Sequence, residues 1–106
     1  MPLETSPTTL NQRIQQGEDL YLLDVREPWE AALCQLPDAV NIPMGQIPGR
    51  LGELPADRTV VCICHHGMRS LQVAHYLESN GMDSVENLTG GVEGWARDVD
   101  PEMPRY

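Results

Sequence analysis

Cys64, His65, His66, Gly67, Met68 and Arg69 follow one another between an apolar run, Val60-Val61-Cys62-Ile63, and a stretch of helical spacing that opens at Ser70. A cysteine placed in a strand-to-helix turn faces the positive end of the helix dipole and several unpaired backbone N–H groups. Such surroundings favour thiolate over thiol, and the thiolate is the nucleophile. Arg69 and the two histidines add positive charge nearby. The chemistry that follows is a reactive sulfur that meets an anion. A cysteine after an apolar strand is also an ordinary small core residue, and strand–turn–helix is common in α/β proteins. Here, though, cysteine, glycine and arginine share one tight loop, at the end of a strand where open parallel sheets bind ligands.

Two elements must position that loop. The β-branched and apolar residues of Thr59 to Ile63 predict a buried central strand. Leu71, Ala74 and Leu77 share one face of a helix expected to run from a Ser70 cap to about Asn80, with Gly81 as its stop. The remaining elements alternate in the same way. Ser6 and Pro7 open a helix on which Leu10 and Ile14 form one apolar stripe, and Gly17 ends it. Leu20 to Val25 reads as a strand buried on both faces, with Asp24 and Arg26 at its carboxyl end, where a salt bridge is expected. Glu27 to Cys34 reads as a helix offering Trp29, Ala32 and Leu33 for burial, and Cys34 as a packing residue at its end. A turn at Leu36 to Ala39 leads to a short strand, Val40 to Ile42, and helical turns follow over Ile47 to Leu54. Val85 to Leu88 is the last strand, Gly90-Gly91 a sharp turn, and Val92 to Arg97 a short helix with Trp95 in the core. Residues 1–4 and the proline-bearing tail 98–106 are expected to be loose. Strands alternating with helices predict an α/β protein: a small parallel sheet with helices on both faces.

At 106 residues the chain is one domain, and with 41% apolar against 22% charged residues it is not globally disordered. The net charge of −9 excludes nucleic acid and anionic membrane as partners. Lysine is absent, which excludes Schiff-base chemistry and a Walker-type phosphate loop. Three cysteines make no disulfide framework, and no secretory signal or spanning run is visible, so a cytoplasmic, reducing location is expected. Cys62, Cys64, His65 and His66 are metal-ligand types, but no second pair accompanies them, so no metal is expected.

The run Cys64-His65-His66-Gly67-Met68-Arg69-Ser70 resembles the active-site loop of the rhodanese-like sulfurtransferases, Cys-x-x-Gly-x-Arg-Ser. Leu22 to Glu27 together with Pro37 to Pro43 is similar to the family's upstream signature, and Leu88 to Trp95 to its C-terminal one. The resemblance runs from about Thr8 to Arg97. It implies one rhodanese-like domain over 1–106, with a core of about 8–97 and a tail at 98–106, built on four or five short strands, without a cofactor. It implies a persulfide on Cys64, loaded from thiosulfate or a persulfide donor and discharged to cyanide or a thiol, with a sulfur-accepting protein as a further candidate partner. Cys64 and Arg69 are then the catalytic pair, Arg69 either holding the loop or meeting the anionic donor. His65, His66, Gly67, Met68 and Ser70 supply the cup around the sulfur, with the histidine side chains either binding substrate or forming a solvated face. Gln35 stands where the family usually has histidine, so any role of that histidine is not carried over. Two alternatives remain. Non-catalytic rhodanese-like interaction modules often lack the cysteine, which is present here. The related phosphatases place five residues between cysteine and arginine, whereas four separate Cys64 from Arg69.

Overall fold

The computed structural model describes residues 2–106. Its strands are β1 (Leu3–Thr5), β2 (Leu20–Asp24), β3 (Val40–Asn41), β4 (Thr59–Ile63) and β5 (Val85–Leu88). They form one parallel sheet in the order β1-β5-β4-β2-β3. Its helices are α1 (Pro7–Gln15), α2 (Pro28–Leu33), α3 (Met68–Ser79) and α4 (Gly91–Asp98), with two 3-10 segments at Met44–Gln46 and Pro48–Glu53. Strand β4 is central, with Leu23 of β2 opposite Cys62 and Val61 opposite Glu86 of β5. Its alternation divides the core between the sheet faces. Val61 and Ile63 join Leu10, Leu88, Val92 and Trp95 beneath α1 and α4. Val60, Cys62 and Cys64 join Val73, Ala74 and Leu77 beneath α3.

Local chemistry sets the element ends. Ser6 Oγ accepts from the Thr9 N–H at 3.2 Å, as an N-cap should. Pro28 opens α2, and Glu27 and Glu30 form its capping box. Helix α3 is capped at Gly67, three residues before the expected Ser70, because Gly67 takes the left-handed conformation at φ +100°. Ser70 is therefore inside the helix and fully buried, not its cap.

Three further expectations are corrected. Leu3 and Glu4 are not loose but lie in β1, paired with β5; Met1 falls outside the described residues. Trp29 and Leu33 are 63% and 47% exposed and Ala32 is exposed with them, because the six-residue α2 turns Glu30 inward instead. The tail is packed: Met103 is buried in the core beneath α4, and the Val99 and Asp100 N–H groups close on the Trp95 carbonyl.

Candidate active site

Strand β4 ends at Ile63 and delivers Cys64 to the carboxyl edge of the sheet, 1% exposed. Two donors converge on its sulfur. The Gly67 N–H lies 3.0 Å from Sγ, and the Ser70 hydroxyl 3.3 Å. Gly67 can turn its N–H inward because its positive φ folds the loop back on itself. Ser70, one helical turn into α3, shares its single hydroxyl proton between this sulfur and the closer Asn87 side-chain oxygen.

The loop carbonyls are taken from outside. The Val92 N–H donates to the Cys64 carbonyl at 2.9 Å, and the Glu93 N–H to the His65 carbonyl at 3.0 Å. The first turn of α4 thus satisfies its own orphan donors on the loop. This close approach requires Gly91 at φ +59°: a Cβ there would lie 2.3 Å from the Cys64 oxygen and 2.5 Å from the His65 oxygen.

Arg69 holds the loop to α2. Its two terminal nitrogens meet the two oxygens of Glu30 at 2.7 and 2.8 Å, the planar fork-to-carboxylate geometry. Hydrogen bonding from Arg69, against the opposing effect of burial, holds the Glu30 carboxyl down at about 2. The Tyr106 hydroxyl also donates to Glu30 at 2.8 Å and accepts from Arg26 at 3.0 Å. Arg26 is fully buried and paired with Asp24 at 2.6 Å, so the predicted salt bridge forms, as the inner end of a longer line. Asp24, Arg26, Tyr106, Glu30 and Arg69 run from the end of β2 to the loop, with two charges of each sign. Burial pushes the Tyr106 phenol up to about 12, so it stays a donor at neutral pH.

His65 stacks between His66 and Tyr106, with ring centroids 3.9 Å apart on each side. Burial, followed by the charge of His66, lowers the pKa of His65. Met68 is 70% exposed. Cys62 lies inside β4, where burial pushes its thiol up to about 12. Cys34, at the end of α2, rests 3.8 Å from the Arg26 guanidinium. The sequence reading missed Glu30, Tyr106, Asn87 and Gly91. The capping-box spacing of Glu27 and Glu30 and the doubled glycine were signals for two of them; Tyr106 gave none.

Among the described residues, no three His, Cys, Asp or Glu side chains gather as metal ligands, and no helix is long and apolar enough to cross a membrane.

Glu30 makes the stability of the site pH-dependent. A carboxyl depressed in the folded state contributes stability that is complete above its unfolded pKa and lost as pH falls through the folded one. Unfolding in denaturant should show that contribution intact above about pH 4.5 and falling away toward about 2. Glu30→Gln should flatten that window and cost about 1–3 kcal/mol at neutral pH, since it loses the charged partner of Arg69. An unchanged pH profile would contradict the role of Glu30.

The chain is similar to known proteins over nearly its whole length. A family model for the rhodanese-like domain matches residues 6–98. A sulfurtransferase of Allochromatium vinosum is 45% identical over 94 residues, covering 89% of this chain and 88% of that protein. YtwF of Bacillus subtilis is 41% identical over 99 residues, covering 93% and 95%. Among solved structures, a rhodanese-like domain protein from Staphylococcus aureus superposes with a TM-score of 0.85 at 28% identity, covering 98% of each chain.

Proposed function

Because the chain belongs to the rhodanese-like domain family, we propose that it is a sulfurtransferase that carries sulfane sulfur on Cys64. The carrying observation is the pair of donors, Gly67 N–H and Ser70 O–H, that converge on a buried sulfur held at a strand end. The thiolate of Cys64 attacks the outer sulfur of thiosulfate. The S–S bond of the donor breaks, sulfite leaves with the electron pair, and Cys64 becomes a persulfide. Cyanide or a thiolate then attacks the terminal sulfur, and the Cys64 thiolate leaves. The covalent intermediate divides one transfer into two easier steps. Negative charge rests on sulfur throughout, so preorganised donors serve every stage. Arg69 acts by holding the loop, its charge being matched by Glu30.

Cys64 is almost fully covered, so the donor must be slender: a small anion, or the exposed end of a persulfide. Acceptors of the same shape follow, including a thiol on a protein partner. A reducing compartment such as the cytoplasm suits a free nucleophilic thiol.

Intact mass decides the proposal. The purified protein should gain one sulfur atom on incubation with thiosulfate and lose it on addition of cyanide. No gain from thiosulfate or glutathione persulfide would leave the interaction-module reading in its place.

A further inference from the structure

Asn87 of β5 is buried behind the Cys64 loop, and all of its side-chain polar atoms are engaged. Its Nδ2 donates to the Gly67 carbonyl at 3.1 Å and to the Glu4 carboxylate at 3.1 and 3.2 Å. Its Oδ1 accepts from the Ser70 hydroxyl. The orientation of this amide is set by chemistry. Turned over, it would place Oδ1 against a carbonyl and a carboxylate, two acceptors with no proton to share. Glu4 is held in turn by the Thr89 hydroxyl at 2.8 Å.

The two groups that Asn87 grips are the two whose hydrogen bonds reach the sulfur. The geometry points to Asn87 as a positioning residue for sulfur transfer: one amide sets both donors to Cys64, and Glu4 of β1 fixes that amide. Gly67 sits in a tight space, where a Cβ would lie 3.2 Å from the Gly90 nitrogen and 3.3 Å from the Leu88 oxygen. The Gly67 N–H and carbonyl lie on successive peptide planes joined at the Gly67 Cα, so the bond from Asn87 to the carbonyl fixes the second plane and limits the rotation at this unbranched residue by which the first could swing away from the sulfur. Ser70 has one hydroxyl proton and two acceptors within reach, so sharing that proton between Oδ1 and Sγ in a three-centre bond confines the hydroxyl rotor to the side of the sulfur. Displaced donors at an anionic centre lose rate steeply, because their contribution depends on preorganisation.

The inference rests on the sulfurtransferase reading for its kinetic test, and a second readout stands free of it. Thiosulfate:cyanide turnover is compared in the parent protein, Asn87→Ala, Ser70→Ala and the double variant. Asn87→Ala should lower kcat roughly tenfold to a hundredfold while KM for thiosulfate moves by about threefold or less. In the Ser70→Ala background the same change should cost clearly less, about threefold, because only the Gly67 arm is left to lose. Amide hydrogen exchange at Gly67 should quicken about tenfold in Asn87→Ala, with the amides of β4 unchanged. An equal loss in both backgrounds, or an unmoved Gly67 amide, overturns the inference. If the parent protein transfers no sulfur, the functional proposal fails and the Gly67 amide alone decides this one. If Asn87→Ala does not fold, Asn87→Thr carries the same measurements, since a β-branched residue suits a strand and cannot engage Gly67, Ser70 and Glu4 at once as the amide does.

Discussion

Cys64→Ser is expected to abolish sulfur loading completely, while Cys62→Ser and Cys34→Ser each still gain one sulfur atom. The three thiols differ in surroundings rather than in kind. Cys64 has two donors on its sulfur and lies in a loop at the sheet edge. Cys62 is sealed inside β4 opposite Leu23, and burial keeps it protonated, pushed up to about 12. Cys34 is buried at the end of α2 and packs on Arg26. Serine at position 64 preserves size and hydrogen bonding, so the loop is retained and only the nucleophile is removed. Intact mass after incubation with thiosulfate reads the result directly. A gain of one sulfur atom by Cys64→Ser would reassign the carrier.

Gly91→Ala should be nearly as severe by a different route. The added carbon would sit 2.3 Å from the Cys64 oxygen, closer than any real contact, and both neighbours are backbone atoms. Either the first turn of α4 withdraws or the Cys64 loop moves. In both cases the Cys64 and His65 carbonyls lose the amides that hold them. Turnover should fall by about a hundredfold or more, since a displacement near 1 Å has that effect at a positioned site. Stability should fall by about 2–4 kcal/mol, combining overpacking with a strained positive φ. Gly81→Ala is the control. It shares a positive φ, +91°, but opens onto empty space, so it should cost about 1 kcal/mol and leave turnover intact. Equal losses in the two variants would show that backbone strain, not the close approach, is responsible.

The part of the site legible in the sequence is the part built locally. Strand, loop and helix around Cys64 follow from β-branched residues, one glycine and apolar spacing, all within about twenty positions. The Asp24–Arg26 pair and the buried Trp95 were legible for the same reason. What escaped is long-range. Arg69 meets Glu30 across 39 positions, and Tyr106 meets it across 76. No periodicity encodes such a pairing. Trp29 misled because an aromatic residue at helical spacing reads as core, whereas the buried position of α2 goes to a charge with partners waiting. Polar residues in the wholly buried β5 were a usable signal: Glu86 pairs with Arg13 at 2.6 Å, and Asn87 serves the loop. A carboxylate and an amide within a buried interior strand imply partners that the local pattern does not supply.

The strand order carries a consequence for how the protein is made. β1 leaves the ribosome first, yet its neighbour is β5, and Glu4 waits for Asn87, 83 positions later. A nascent chain can pair β2 with β4 while the far edge of β4 stays open, its backbone N–H and C=O groups unpaired until β5 arrives. The Cys64 loop emerges before β5 and α4, so its carbonyls and its Gly67–Ser70 donors are unsupported during that interval. The geometry around Cys64 is therefore completed late during synthesis, and a chain stalled before position 85 holds the whole loop sequence without the contacts from β5 and α4 that shape it.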